Sequence, residues 1–149
     1  MIDLTQFRSL IPLDHGLGVV VSRRPDHTTQ ASVVSVGVLS SPLDNSNVVA
    51  FVAIGRARKL VNLRADPTIS IVVRAGFQWS AVEGTATLIG PNDPNPHIDS
   101  EQLRLLLRAI FTAAGGTHDD WTTYDNTMRD ERRTAVLVTP TRTYTNPTP

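Results

Sequence analysis

Six segments rich in valine, isoleucine, alanine and threonine follow one another along the chain, with turn residues between most of them and helix signals gathered mainly in two places. They are LGVVVSR (17–23), QASVVSVGVL (30–39), VVAFVAI (48–54), TISIVVRA (68–75), WSAVEGTATLIG (79–90) and TAVLVTPTRTYT (134–145). A parallel sheet needs a crossover helix after nearly every strand, so this order points to a mainly β or α+β antiparallel fold. Six short strands in an open sheet would leave edges to cover, which favours a small closed or split six-stranded barrel with flanking helices. With 149 residues and no internal repeat, the chain reads as a single domain, 1–149.

Periodicity sorts the faces. In the second strand Val34, Val36 and Val38 share one side, and Val33, Ser35 and Gly37 the other. Residues 4–11 predict a short helix stopped by Pro12, and 56–64 a second, with Leu60 and Leu63 inward and Asp66-Pro67 closing it. The strongest helical stripe is Leu103, Leu106, Leu107, Ile110, Phe111 and Ala114, running from Ser100 to the Gly115-Gly116 stop. PNDPNP (91–96) is a rigid connector, and Trp121, Tyr124 and Met128 mark a second amphipathic segment.

The charge is neutral in sum and uneven in place. Net charge is zero and Lys59 is the only lysine, yet Arg56, Arg58, Lys59, Arg64 and Arg74 meet only Asp66 between residues 55 and 75. Arg56, Arg58 and Lys59 fall at the start of a helix, where unpaired N–H groups already carry about half a positive charge and acids are the favoured residues. Local preference is thus violated, as is common at functional sites, and a bound phosphate resolves the conflict. A neutral chain does not suit a nucleic-acid binder, so a compact anion is the expected target. The expected setting is cytoplasmic: the chain has no cysteine, its first residues lack the apolar run of a signal peptide, and no stretch is suited to span a membrane.

Other motifs have plainer readings. Gly16-Leu17-Gly18 precedes a strand and lacks a third glycine, so it reads as a turn entry rather than a dinucleotide loop. His118-Asp119-Asp120 and His97-x-Asp99 have metal-like composition, but each sits at a helix start, where Asp acts as a cap. No metal site is expected. His15 and His27 are lone turn residues. Trp79 opens a strand after a glycine turn and suits core or interface, or stacking on a planar ligand. Trp121 and Tyr124 suit helix packing, or a lid over a pocket.

The order of pieces also carries a resemblance. Arg58-Lys59 opens a short helix that ends in Asn62-Leu63-Arg64-Ala65-Asp66-Pro67, and Trp79-Ser80-Ala81-Val82-Glu83-Gly84-Thr85-Ala86 follows one strand later. From about Thr29 to Ile89 this resembles the split-barrel flavin and deazaflavin oxidoreductases, the pyridoxamine 5'-phosphate oxidase-like proteins. The resemblance implies that Arg58 and Lys59 grip a cofactor phosphate with Arg56 beside them, and that Val33, Val34, Ser35 and Ile54 hold the ring, with Trp79 near it. It implies small Ser35 and Gly37 as a platform for a flat ring, and a homodimer whose two sites each draw on both chains.

The opening Ile11-Pro12-Leu13-Asp14-His15-Gly16, the Thr117-His118-Asp119-Asp120-Trp121 run and Asp130-Glu131-Arg132-Arg133 look similar to the actinobacterial branch that uses the deazaflavin coenzyme F420. That branch implies a hydride-transferring reductase acting on conjugated acceptors such as enones, unsaturated lactones or quinones, with Arg56 and Arg64 meeting the cofactor's anionic tail. FMN is the alternative cofactor, in a pyridoxamine 5'-phosphate oxidase-like protein, and a non-catalytic F420 or flavin binder is the alternative role. Ala57 stands where many relatives carry Ser, so one phosphate contact of the oxidases is missing. No side chain is expected to be an obligatory catalytic acid.

Overall fold

The computed structural model describes residues 2–147. Six strands, β1 (Leu17–Arg23), β2 (Thr29–Ser40), β3 (Asn47–Ala53), β4 (Thr68–Ala75), β5 (Gln78–Ile89) and β6 (Thr134–Thr145), form a closed antiparallel barrel in the order β1-β2-β3-β6-β5-β4. Four α-helices flank it: α1 (Thr5–Leu10), α2 (Arg58–Ala65), α3 (Ser100–Ala113) and α4 (Trp121–Asp130). The antiparallel reading of the sequence holds strand by strand.

Burial follows from which faces are covered. The barrel interior is filled by Val20, Val36, Val38, Phe51, Ile71, Val82, Val136 and neighbours, joined by Phe7 and Leu10 of α1 and Leu60 and Leu63 of α2. A second core lies outside the barrel wall, where Val48, Ala50, Ala135 and Leu137 meet Leu106, Leu107 and Ile110 of α3 and Tyr124 of α4. β3 and the first half of β6 are therefore buried on both faces, which is why they read as nearly continuous apolar runs. β1 alternates because only one of its faces is covered.

Helix ends obey the capping logic. Gln102 N–H donates to Asp99 Oδ1 at 2.8 Å while Asp99 N–H donates to Gln102 Oε1, a full capping box for α3. Thr123 N–H donates to Asp120 Oδ1 at 3.1 Å at the start of α4. The two helices are clamped together: Asp125 accepts from both Arg104 and Arg108, and the Tyr124 hydroxyl donates to the Leu107 carbonyl at 3.0 Å. α2 is tied to the barrel through buried Asn62, whose Nδ2 donates to Ser22 Oγ at 3.2 Å and Gln30 Oε1 at 2.9 Å.

Two details differ from the sequence reading. α2 begins at Arg58, so Arg56 lies in the turn before the helix rather than in its first turn. Pro12 does not end the N-terminal helical stretch but opens a 3-10 turn over Ile11–Asp14, where a missing N–H costs nothing.

Candidate functional site

The barrel opens between β2 and β3. β2 pairs with β1 from Thr29 to Ser35 and with β3 only from Val36 onward, while Val52 and Ala53 of β3 pair with β6 alone. In the resulting split lies a cavity of about 370 Å³, walled by Val33, Val34 and Ser35 on one side and Val52, Ala53 and Ile54 on the other. Ile110, Phe111 and Ala114 of α3 and Tyr124 and Met128 of α4 roof it, and Lys59 and Arg133 complete the lining. A volume of this order suits a cofactor or small-molecule ligand. Val36 N–H donates back to Gly16 O at 2.8 Å, so strand alternation turns the backbone groups of Val33 away from β1 and toward the split.

Gly55 brings the two cations together. A Cβ at this position would lie 2.6 Å from the Arg132 carbonyl oxygen, and Gly55 N–H donates to the Glu131 carbonyl at 3.0 Å. Only glycine lets the end of β3 lie so close to the α4–β6 turn, where Arg132 adopts a left-handed φ of 51°. The start of α2 and the start of β6 thereby meet at one corner of the cavity.

That corner is positively charged and unbalanced. Burial, and then the neighbouring Arg133 charge, push the Lys59 ammonium below the usual lysine value. Arg133 donates to Glu131 Oε1 at 3.2 Å through one terminal nitrogen, while its Nε is buried without a partner. Among the described residues Arg56, Arg58 and Lys59 enter no ion pair and no side-chain hydrogen bond. α2 has neither a side-chain cap nor an acid in its first turn. Positive charge at this corner therefore exceeds the acid that the described residues place against it.

The structure gathers Val33, Val34, Ser35, Ile54 and Lys59 around this one cavity. Arg56 and Arg58 are exposed and outside its lining, on the turn and first turn leading to Lys59. Trp79 also lies outside it, on β5, separated from β2 by β1 and β4, with its ring edge-on to Tyr144 at 6.0 Å. Gly37 is no ring platform: a Cβ there would lie 2.6 Å from Ala113 Cβ, because α3 packs against it. Arg64 is engaged elsewhere, bound at two points to Asp93 at 2.9 and 2.7 Å, and is not free to meet a cofactor tail.

Arg133 is the residue that sequence reasoning did not assign. Its signal was present in the Glu131-Arg132-Arg133 run, but a glycine contact spanning more than seventy residues was needed to set it beside Lys59. Phe111, Ala114 and Met128 read correctly as apolar stripe positions, though periodicity does not tell a core from a cavity roof. Tyr124 lines the cavity, whereas Trp121 packs on Phe111 and carries the Arg108 guanidinium 5.0 Å from its ring. The Tyr124 hydroxyl is held by Leu107, and burial is the first cause raising its pKa.

No family model matches the sequence. Solved structures do resemble the fold. A conserved hypothetical protein from Mycobacterium tuberculosis superposes with a TM-score of 0.68 at 17% identity, covering 97% of this chain and 84% of its own. A pyridoxamine 5'-phosphate oxidase-related, FMN binding protein from Nostoc punctiforme gives a TM-score of 0.60 at 15% identity over 95% of this chain and 79% of its own. An F420 reductase gives 0.58 at 16% identity over 86% and 88%. The class is therefore defined at the level of fold: a six-stranded split barrel of the pyridoxamine 5'-phosphate oxidase-like type.

Proposed function

We propose that the chain is an F420-dependent reductase that passes a hydride to a conjugated acceptor such as an enone, an unsaturated lactone or a quinone. The observation that carries this reading is Lys59, a cation with no ion-pair or hydrogen-bond partner among the described residues, set beside the Glu131-paired Arg133 at one corner of an otherwise apolar cavity in the barrel split. An anionic group attached to a flat ring fits both halves of that description. The F420 reductase with this fold supports it further.

In this reading Lys59 and Arg133 hold the anionic group by charge-assisted hydrogen bonds, and Arg56 and Arg58 extend the positive field at the rim. Val33, Val34, Ile54, Phe111, Ala114 and Met128 exclude water from the ring's surroundings, Ser35 leaves room at the mouth, and the Val33 backbone offers hydrogen bonds to a ring edge. Trp79 serves the acceptor or the partner subunit rather than this cavity. When bound, the cofactor supplies the hydride. The chain's own share is placement and dehydration, since Tyr124, the hydroxyl-bearing ring of the roof, already donates to Leu107.

We infer a homodimer. Leu17, Val19 and Val33 leave an apolar strip 40–63% exposed on the outer face of β1 and β2, with Val19 opposite Val33 across the ladder, and a second copy is its natural cover.

FMN is the second reading, favoured by the FMN binding protein that shares the fold to a similar degree. Colour and turnover separate the cases. The proposal expects protein purified without bound yellow flavin that oxidises reduced F420 in the presence of an enone or quinone panel. Yellow protein with firmly held FMN and no F420 turnover selects the second reading, and cofactor binding without turnover on the panel selects the non-catalytic binder.

A further inference from the structure

Lys59 carries the only primary amine among the side chains of this protein; every other cationic side chain in the sequence is an arginine or a histidine. The fold sets that single amine in the lining of the split-barrel cavity, about 370 Å³ in volume, where Val33, Val34, Ile54, Phe111 and Met128 supply apolar surface. Among the described residues the amine enters no ion pair and no side-chain hydrogen bond. Its charged neighbour, Arg133, is another cation, already donating to Glu131 at 3.2 Å.

In this setting an amine and a guanidinium differ in kind. A guanidinium stays protonated at any pH a protein experiences, whereas a lysine partly stripped of water beside another cation gains access to its neutral form and a nucleophilic lone pair. Burial, and then the Arg133 charge, act on Lys59 in this sense. Anion binding is open to either residue; covalent capture of a carbonyl is open to lysine alone.

We propose that Lys59 is a carbonyl-capture site, at which a flat apolar aldehyde entering the split condenses with Nζ to form an imine. The Nζ lone pair forms the C–N bond as the carbonyl π pair moves to oxygen. Both amine protons then leave with that oxygen as water, and nothing is oxidised or reduced. The apolar walls favour an aryl or other conjugated aldehyde over a sugar or a charged oxo acid. This chemistry belongs to the cofactor-free protein and goes beyond the cofactor reading, since an anion seated on Lys59 blocks it.

Reductive trapping tests it. The purified full chain is incubated near neutral pH with benzaldehyde and sodium cyanoborohydride, and peptide mass spectrometry compares Lys59 with the α-amine of the chain. At such pH an α-amine exceeds an ordinary lysine in neutral fraction by more than about a hundredfold, which makes it a stringent reference. The expected Lys59-to-α-amine labelling ratio is at least about tenfold higher in the folded chain than in the chain unfolded in guanidinium chloride. Ser35→Trp and Met128→Trp, which narrow the cavity from two sides, should each lower that ratio at least about threefold, with thermal melts reporting that they are folded. Lys59→Arg should leave only the α-amine labelled. The proposal is overturned if Lys59 stays unlabelled while the α-amine reacts, if the ratio is the same in folded and unfolded chain, or if the folded cavity variants label as the wild type does. F420 added first should slow labelling of Lys59 and not of the α-amine. F420 that binds without slowing it contradicts the cofactor placement and not the imine, whereas F420 binding by a chain that traps no imine in its absence contradicts the imine alone.

Discussion

Lys59 concentrates the conflict between stability and function in one side chain. It is half-buried, it faces Arg133, and its lowered pKa records that the fold disfavours its charge. Because the unfolded chain holds that proton more firmly, stability contributed by this group rises as pH climbs from the lowered value toward the ordinary 10.5. Lys59→Met should therefore raise the melting temperature by about 2–4 °C near neutral pH, a gain of up to about 1 kcal/mol, while weakening anion binding. Differential scanning calorimetry and ligand titration on the same variant check both halves. Binding has the opposite pH sense. The ammonium attracts an anion below its pKa and loses that attraction above it, so affinity should begin to fall with rising pH earlier than for an ordinary lysine. A series of titrations from pH 7 to about pH 10 checks this, and it should be flat in Lys59→Met.

At the scale of elements, two close approaches build the site: Gly55 against the α4–β6 turn and Gly37 against α3. Gly37→Val should loosen α3 from β2 and cost about 1–3 kcal/mol, with a lower denaturant midpoint as the readout. The strands and helices themselves were legible in the sequence, since alternation, apolar stripes and caps such as Asp99 and Asp120 are local signals. Val33, Val34, Ser35 and Ile54 were singled out only through the family resemblance, and the structure sets them around one cavity with Lys59. Arg133 was not, because its meeting with Lys59 depends on a tertiary contact. The same limit hid the covering of Gly37 by α3: a small residue on a strand face looks alike whether a ring or a helix lies on it.

The whole molecule is a neutral barrel with its charge sorted into patches. Clamp arginines are matched by acids between α3 and α4, and unmatched cations collect where the barrel splits. In the proposed homodimer, the apolar strip beside the split is the face that a second copy covers. Light scattering should give twice the chain mass, and Val19→Glu, outside the cavity lining, should shift it to the monomer. The central claim is that the split holds a ring-bearing anionic cofactor through Lys59 and Arg133. Fluorescence titration of the protein with F420, with FMN in parallel, tests it most directly. Saturable F420 binding is expected, dropping at least about tenfold in the Lys59→Ala, Arg133→Ala double variant. The claim is contradicted if neither cofactor binds, or if the double variant binds as tightly as the wild type.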